Sequence, residues 1–305
     1  MRFAGETAAL ATALCWATGA NLFAAAGRRM GSAVLNRLRI SAAAVMLSLA
    51  LLALRGSPWP HWASGFQIAV LAASGLIGFV FGDTYHFRAL VVLGPGRAAL
   101  LSSLAPVFTL LLAWPLLGER PGPWALAGTA LTLSGVTWVL RERQAREARH
   151  VEGAEGPDVS VASGVLAGVL GALGQAGGYV LSKVALASGD LDALSATVIR
   201  IAAACAGIWL LARARGAVAS TVAALRDRRA TWFMLGGAAA GPFLGVTLSL
   251  AALRHIDAGV AASITAIYPI PTILLSAAVG HERPTWRTFA GAAVAVAGVT
   301  VLFVR

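Results

Sequence analysis

The feature that most constrains this chain is a series of ten long apolar runs, separated by short segments rich in glycine, proline and arginine. A helix needs roughly 17–25 mostly apolar residues to cross the hydrocarbon core of a bilayer. Because only 12% of the residues are charged, about half the usual share of a soluble domain, the surface is expected to face lipid. The sequence therefore predicts an all-α membrane protein of about ten transmembrane helices, at 6–26, 33–54, 66–92, 97–117, 123–140, 161–186, 192–213, 231–254, 258–279 and 286–303.

The two halves of the chain repeat each other. Residues 82–137 align with 245–300 at a constant offset of 163, without a gap, and twenty of the 56 positions are identical. Chance matches in apolar sequence are mostly alanine and leucine, but this alignment also keeps prolines and a charged tripeptide in register. The matches include Pro106 with Pro269 and Glu119-Arg120-Pro121 with Glu282-Arg283-Pro284.

The repeat divides the chain into a first five-helix unit at 1–140, a polar linker at 141–160 and a second five-helix unit at 161–305. The first part of the linker can continue the fifth helix into water. Because each unit has an odd number of spans, two units joined by a short linker must cross the membrane in opposite directions. Such inverted repeats are typical of secondary transporters, whose binding site lies between the repeats near the midplane.

Ionisable residues cluster in the third run, where they are costly in a membrane unless they face a cavity or a partner. Asp83 and His86 are three residues apart, as are Tyr85 and Arg88, so each pair shares a helix face. We predict that these four side chains line a substrate cavity, with Asp83 and His86 in hydrogen-bonding reach of each other or of a shared water. The alternative is an internal salt bridge that only neutralises the charges. Histidine titrates near neutral pH, which leaves proton coupling through His86 as an option.

Further polar and aromatic residues lie inside other runs and are predicted to face the same cavity. Lys183, the only lysine of the chain, lies near a helix end, where it either holds an anionic group or only sets topology. The glycine-dense sixth run, with Gly174-xxx-Gly178, allows close helix contact or an open groove. The predicted cavity residues outside the third run are Trp16 and Asn21 in the first, Gln175, Tyr179 and Lys183 in the sixth, and Tyr268 in the ninth.

Two prolines, Pro106 and Pro269, fall near the middle of the fourth and ninth runs. Proline removes a helix hydrogen bond and bends the helix, so both positions are predicted to be hinges. The glutamates of the two Glu-Arg-Pro groups lie at span ends and are interpreted as structural.

Several function classes are disfavoured by the sequence. The five histidines show no metal-ligand spacing, and Cys15 and Cys205 lie in apolar runs, so no metal site and no cofactor are predicted. No activated nucleophile accompanies Asp83 and His86, so no catalytic residue is assigned. The net charge of +11 comes from arginines between the runs, which favours contact with lipid phosphates over nucleic acid. The expected partners are a small-molecule substrate and the lipid bilayer, and no oligomer is required.

The pattern resembles the EamA-type branch of the drug/metabolite transporter superfamily over nearly the whole chain. The resemblance rests on Trp16, the arginines near the start of spans two and seven (Arg39 and Arg200), Phe87-Arg88-Ala89-Leu90, Pro106 with Leu117-Gly118-Glu119-Arg120-Pro121, and Gly128 with Gly135-Val136. The second half departs from the pattern at Gly280-His281, and at Gln175 in place of a tryptophan. The resemblance implies a ten-helix fold with a central cavity. It also implies ATP-independent export of amino acids, metabolites or toxic organic compounds across the inner membrane of a bacterium.

Two alternatives to a transporter stay open at this stage, a non-transporting membrane scaffold and an intramembrane enzyme. Orientation is open as well. Most loop arginines fall on the side of the 141–160 linker, and the positive-inside rule places that side in the cytoplasm. The family resemblance implies the reverse, with both termini in the cytoplasm.

Overall fold

The computed structural model describes residues 3–150, 161–278 and 284–304, and within these ranges the chain forms helices and no strands. Nine described helices are long and apolar enough to cross a membrane, and one shorter apolar helix, Ala105–Leu117, accompanies them. Three parts of the sequence predictions lie outside the described residues: residues 151–160 of the linker, Gly280-His281, and Glu282-Arg283. The helices are Ala4–Met30, Ser32–Arg55, Gly65–Gly75, Asp83–Ser102, Ala105–Leu117, Pro123–His150, Val161–Ala187, Ala193–Ala214, Val218–Ala223, Arg228–Ala238, Val246–Leu253, Ala258–Thr265, Pro269–Ala278 and Trp286–Val304.

These helices form ten spans, numbered here in chain order. Span 3 begins at Gly65, span 4 ends at Leu117, and the helical run Asp83–Ser102 is shared between them. Span 5 continues to His150, so the first half of the polar linker extends this helix. The remaining spans are 1 (Ala4–Met30), 2 (Ser32–Arg55), 6 (Val161–Ala187), 7 (Ala193–Ala214), 8 (Arg228–Leu253), 9 (Ala258–Thr265 with Pro269–Ala278) and 10 (Trp286–Val304).

The helical run Asp83–Ser102 folds back on itself. The Ser102 hydroxyl lies 3.0 Å from Nδ1 of His86, sixteen residues earlier in the chain. In a straight helix these residues would be about 24 Å apart, at 1.5 Å per residue. The chain must therefore reverse direction between His86 and Ser102.

Contacts between span ends show that the two chain termini share one end of the bundle. The rings of Phe3 and Phe303 lie 5.9 Å apart, which defines the terminal end. At the opposite end, called the linker end, Arg29 in the last turn of span 1 donates a hydrogen bond of 2.7 Å to Asp227, which directly precedes span 8. A chain whose termini lie on the same side must cross the membrane an even number of times, and the ten predicted spans meet this condition.

Spans 1 and 6, which open the two halves, run in opposite directions. Gly5 in the first turn of span 1 packs so closely on Ile256 that an added Cβ would lie 2.7 Å from its Cγ2. Lys183, in the second-last turn of span 6, donates a hydrogen bond of 2.7 Å to the carbonyl of the same Ile256. The beginning of span 1 and the end of span 6 therefore meet at the terminal end, as five spans per half require.

The packing between the halves follows an approximate two-fold symmetry. Span 1 packs against spans 8 and 9 of the other half, and span 6 packs correspondingly against spans 3 and 4. Spans 2 and 7, 4 and 9, and 5 and 10 each pair with their own equivalents. Each half thus completes its packing only against the other, which makes the interface between halves the core of the protein.

Each half carries one π-helical segment at the same position of the repeat. Leu76–Gly82 in span 3 and Ala239–Gly245 in span 8 are separated by the alignment offset of 163 residues. The last residue of each segment packs against the first span of the other half. Gly82 contacts the backbone of Gln175 in span 6, and Gly245 contacts the ring of Trp16 in span 1. Side chains larger than hydrogen would collide there, since a Cβ on Gly245 would lie 2.7 Å from the indole nitrogen. Such π segments are frequent at functional sites.

Pro106 and Pro269 do not bend continuous helices, which corrects the expected geometry. Span 4 is interrupted at Ser103 and Leu104, and span 9 is interrupted between Thr265 and Pro269. Each proline lies in the first turn of the restarted helix, where its missing N–H leaves no hydrogen bond unmade. Both spans are therefore broken at equivalent positions, and the hinge role of these breaks stays a prediction.

Candidate functional site

A buried ion pair joins spans 2 and 3 at the interface between the halves. Arg39 donates through Nη2 to Oδ2 of Asp83 and through Nε to Oδ1 of Asn36, at 2.7 Å for the second bond. The guanidinium carbon also lies 5.4 Å from the ring centre of Phe23 and 6.0 Å from that of Phe87. Asp83 is only 8% exposed. The pair is thus neutralised and enclosed, as a charge in a membrane span must be.

Arg200 in span 7 stands at the position of Arg39 in the repeat but lacks the corresponding acid. Asp83 is matched by Val246 at the offset of 163 residues. Arg200 is 4% exposed, and its guanidinium carbon lies 5.0 Å from the ring centre of Phe79. Among the described residues its guanidinium makes no hydrogen bond or ion pair, and its Nε is buried. One of two equivalent arginines is therefore compensated and the other is not.

The residues predicted beside Asp83 take different places. His86 faces Ser102 through Nδ1 at 3.0 Å, while Asp83 bonds to Arg39, so the two side chains have separate partners rather than the direct bond considered above. The Tyr85 ring packs against Phe81 at a tilted angle of 57°, with ring centres 4.7 Å apart, and Arg88 is exposed. Arg88 lies five residues after Asp83, which puts it on another helix face. Their role in a transport path stays a prediction.

The remaining predicted cavity residues connect elements of opposite halves. The rings of Trp16 and Tyr268 meet edge to face at 5.9 Å, and the Asn21 amide donates to the Thr272 carbonyl at 3.2 Å. Both contacts join span 1 to span 9. Tyr179 donates to the carbonyl of Ser249 at 3.3 Å, which joins span 6 to span 8. Gln175 is half-buried, where its backbone packs on Gly82.

The glycine-rich face of span 6 gives the close helix contact that its spacing allows. A Cβ on Gly178 would lie 2.9 Å from the Cα of Gly78, and one on Gly171 would lie 3.1 Å from the Cα of His86. Span 3, which carries Asp83 and His86, is therefore pressed against span 6 backbone to backbone.

An ion pair closes the interface toward the terminal end. Lys183 pairs with Glu119 at the end of span 4, and Glu119 Oε2 also accepts from the backbone N–H of Ala258 at 2.8 Å. The Lys183 and Glu119 side chains are 17% and 12% exposed. The sequence left two roles for Lys183, holding an anionic group or setting topology. The structure shows Lys183 next to an anionic group, but this group is the Glu119 carboxylate of the protein itself.

Replacing Glu119 by glutamine is expected to lower the free energy of unfolding by about 3 kcal/mol, because the mostly buried charge of Lys183 would keep only the half-exposed carboxylate of Asp257, at 4.0 Å. Thermal unfolding of the purified protein in detergent measures this as a lower melting temperature. Arg254→Gln is the matched control at the same end, since its pair with Asp190 is exposed and is worth about 0.5 kcal/mol. Equal melting temperatures of the two variants would contradict a stabilising role for the Glu119–Lys183 pair.

The sequence predictions do not include Arg39 and Arg200 among the cavity residues, and they interpret Glu119 as structural. The sequence does contain a sign of their importance. Arg39 and Arg200 are charged residues inside apolar runs, which is as unusual as the presence of Asp83 in the third run. No signal in the sequence pairs Glu119 with Lys183, which lies in the other half of the chain. Ser102 likewise becomes a neighbour of His86 only through the chain reversal.

Comparisons with known proteins agree with this architecture. The model of a family described as the EamA-like transporter family matches residues 3–141 and again 162–304. No curated protein matches the chain. One solved structure, described only as the crystal structure of a protein, has a TM-score of 0.69 and 20% sequence identity, and the match covers 99% of this chain and 98% of that one. At this identity the likeness shows the fold alone. With both halves matched, the chain belongs to the EamA-like transporter family and is a multi-pass integral membrane protein.

Proposed function

We propose that the protein is a secondary transporter that moves a small organic solute across the membrane by alternating access. The observation that carries this proposal is the charged cluster of Arg39, Asp83 and Arg200 between two halves that run in opposite directions. Burying such groups in a span is costly, and a scaffold could fill the same space with apolar side chains. A solute-binding site between inverted halves gives these charges a function.

The two ends of the interface carry contacts that movement of the halves would break in turn. At the terminal end, Glu119 and Lys183 join spans 4 and 6. At the linker end, Arg29 and Asp227 join spans 1 and 8. The hydrogen bond from Arg29 lowers the pKa of Asp227, so the carboxylate is ionised at neutral pH and this contact weakens as the pH falls toward that pKa. Both contacts are formed in this structure.

The direction and location of transport are parts of the same proposal. The family resemblance supports export of a metabolite, an amino acid or another organic compound, in the inner membrane of a bacterium. The carrier would work without ATP and without a catalytic step. Proton coupling through His86 is open, and replacing His86 by glutamine while following the pH profile of transport would test it.

Counterflow in proteoliposomes tests the proposed function. Vesicles containing the purified protein are loaded with unlabelled solutes, and the transient accumulation of labelled solute from outside is measured. We expect accumulation at least about tenfold above vesicles without protein for at least one amino acid or organic acid. A non-transporting scaffold or an intramembrane enzyme would give no accumulation with any of them.

A cross-link at the linker end tests alternating access in the same vesicles. Cys15 and Cys205 are first replaced by alanine, and Arg29 and Asp227 are replaced by cysteine. A short bis-methanethiosulfonate, which forms a disulfide with each of the two cysteines, is expected to stop counterflow, and cleavage of those disulfides by a reductant is expected to restore it. Each single-cysteine variant, treated alike, is the control. Undiminished counterflow in the cross-linked protein would reject separation of spans 1 and 8 during transport.

A further inference from the structure

We infer that the transported solute carries an anionic group, an organic carboxylate, and that Arg200 is the residue that binds it. This inference rests on the proposed function and names its substrate class. It starts from the difference between the two equivalent arginines: Arg39 has Asp83 as its partner, whereas Arg200 has Val246 at the equivalent position.

The charges around Arg200 leave one positive charge without a partner. Asp83, the acid of the cluster, bonds to Arg39. The Tyr179 hydroxyl donates to the Ser249 carbonyl, and Glu119 is held by Lys183. With two arginines, Arg39 and Arg200, and one carboxylate, Asp83, the cluster has a net charge of +1. One monovalent anion would balance it, whereas a cationic solute would add to the imbalance.

The Phe79 ring does not remove the need for an anion. A cation–π contact at 5.0 Å offsets only part of the cost of burying an arginine, because the ring presents a weak quadrupole rather than a charge. The ring also leaves the guanidinium N–H groups without acceptors. Buried polar groups without hydrogen bonds are rare in native proteins, so the guanidinium is predicted to meet an acceptor that arrives from outside.

The geometry beside Arg200 suits a carboxylate. Guanidinium presents paired N–H groups that match the two oxygens of a carboxylate. Gly78 in the π segment of span 3 presents backbone rather than a side chain to Nη2, since a Cβ there would already contact that nitrogen at 3.4 Å. Phe79 offers an apolar surface to the rest of the molecule. The site therefore fits a carboxylate attached to an apolar or aromatic body.

Thermal stabilisation by matched pairs of small molecules tests the inference without knowledge of the natural substrate. The probes are benzoate and benzamide, hexanoate and hexanamide, and N-acetyl-phenylalanine with its amide, each at the same concentration and ionic strength. We expect at least one carboxylate to raise the melting temperature by about 2–4 °C, because ligands that bind only the folded state stabilise it. The matching amide is expected to have no effect. No shift with any carboxylate, or equal shifts with an amide, would overturn the inference.

Two substitutions locate the effect at Arg200. Arg200→Gln is expected to abolish the carboxylate shift and to reduce carboxylate counterflow at least about tenfold, while its melting temperature without ligand stays equal to or above the wild type. Val246→Asp places an acid at the position equivalent to Asp83 and is expected to abolish the carboxylate shift by supplying an internal partner. A purely structural arginine predicts the opposite: lower stability in Arg200→Gln and an unchanged response to carboxylates in both variants.

The outcomes separate this inference from the proposed function. Counterflow of neutral or cationic solutes that carboxylates do not inhibit would keep the transporter and reject the anion site. Carboxylate-selective stabilisation that depends on Arg200, without counterflow of any solute, would keep the anion site and reject transport.

Discussion

Replacing Asp83 by leucine is expected to lower the free energy of unfolding by about 3–5 kcal/mol, because Arg39 would be left buried without its counter-ion. Asn36 and the two phenylalanine rings remain next to the guanidinium, but none of them carries a negative charge. Thermal unfolding of the purified protein in detergent micelles measures the loss. The same substitution is expected to raise the net charge of the cluster by one.

A double substitution distinguishes a broken ion pair from a damaged core. Replacing Arg39 by methionine together with Asp83 by leucine removes both charges at similar volume, and such exchanges are often neutral or stabilising. We expect the double variant to recover most of the stability lost in Asp83→Leu. Failure to recover, or a single Asp83→Leu variant as stable as the wild type, would show that the pair does not hold spans 2 and 3 together.

The sequence predicts the helices and the breaks between them because those signals are local. Apolar runs reveal the spans, and glycines mark the ends of spans 2 and 4 at Gly56 and Gly118, which both have a positive φ. The repeat also predicts that the two halves run in opposite directions through the membrane, because each half has an odd number of spans. The hydrophobic pattern does not predict the π segments at Leu76–Gly82 and Ala239–Gly245, because one inserted residue hardly disturbs a helical period of 3.6 residues. Their equal spacing becomes visible only with the backbone.

The site is predicted less completely, because its contacts join distant parts of the chain. A charge in an apolar run points to Asp83 and His86 but does not tell which partner each finds. The same rule selects Arg88, which the structure places on an exposed face. Arg200 becomes informative only when its neighbours are known, since the signal is the acid that is missing beside it. Pairing across spans is a property of packing, which periodicity does not encode.

The contact between spans 5 and 10 depends on glycines that the repeat has kept. Gly128 and Gly135 in span 5 correspond to Gly291 and Gly298 in span 10. A Cβ on Gly135 would lie 2.6 Å from the Gly291 carbonyl oxygen and 2.8 Å from the Cα of Ala295. Because the obstacles are backbone atoms, side-chain movement cannot relieve the overlap, and the two helices would have to separate.

Replacing Gly135 by alanine is therefore expected to lower the free energy of unfolding by about 3 kcal/mol, at the upper end of the usual cost of overpacking. Adding Gly298→Ala, where a Cβ would lie 2.8 Å from the Gly128 carbonyl oxygen, is expected to leave little folded protein in the membrane. The measurements are the yield of monodisperse protein after extraction and its melting temperature. Gly177→Ala is the matched control, because its Cβ would meet Ile77 Cγ2 at an ordinary 3.5 Å and alanine is favoured over glycine in a helix by about 1 kcal/mol. If Gly135→Ala unfolds at the same temperature as Gly177→Ala, close backbone packing of spans 5 and 10 is not what holds these halves together.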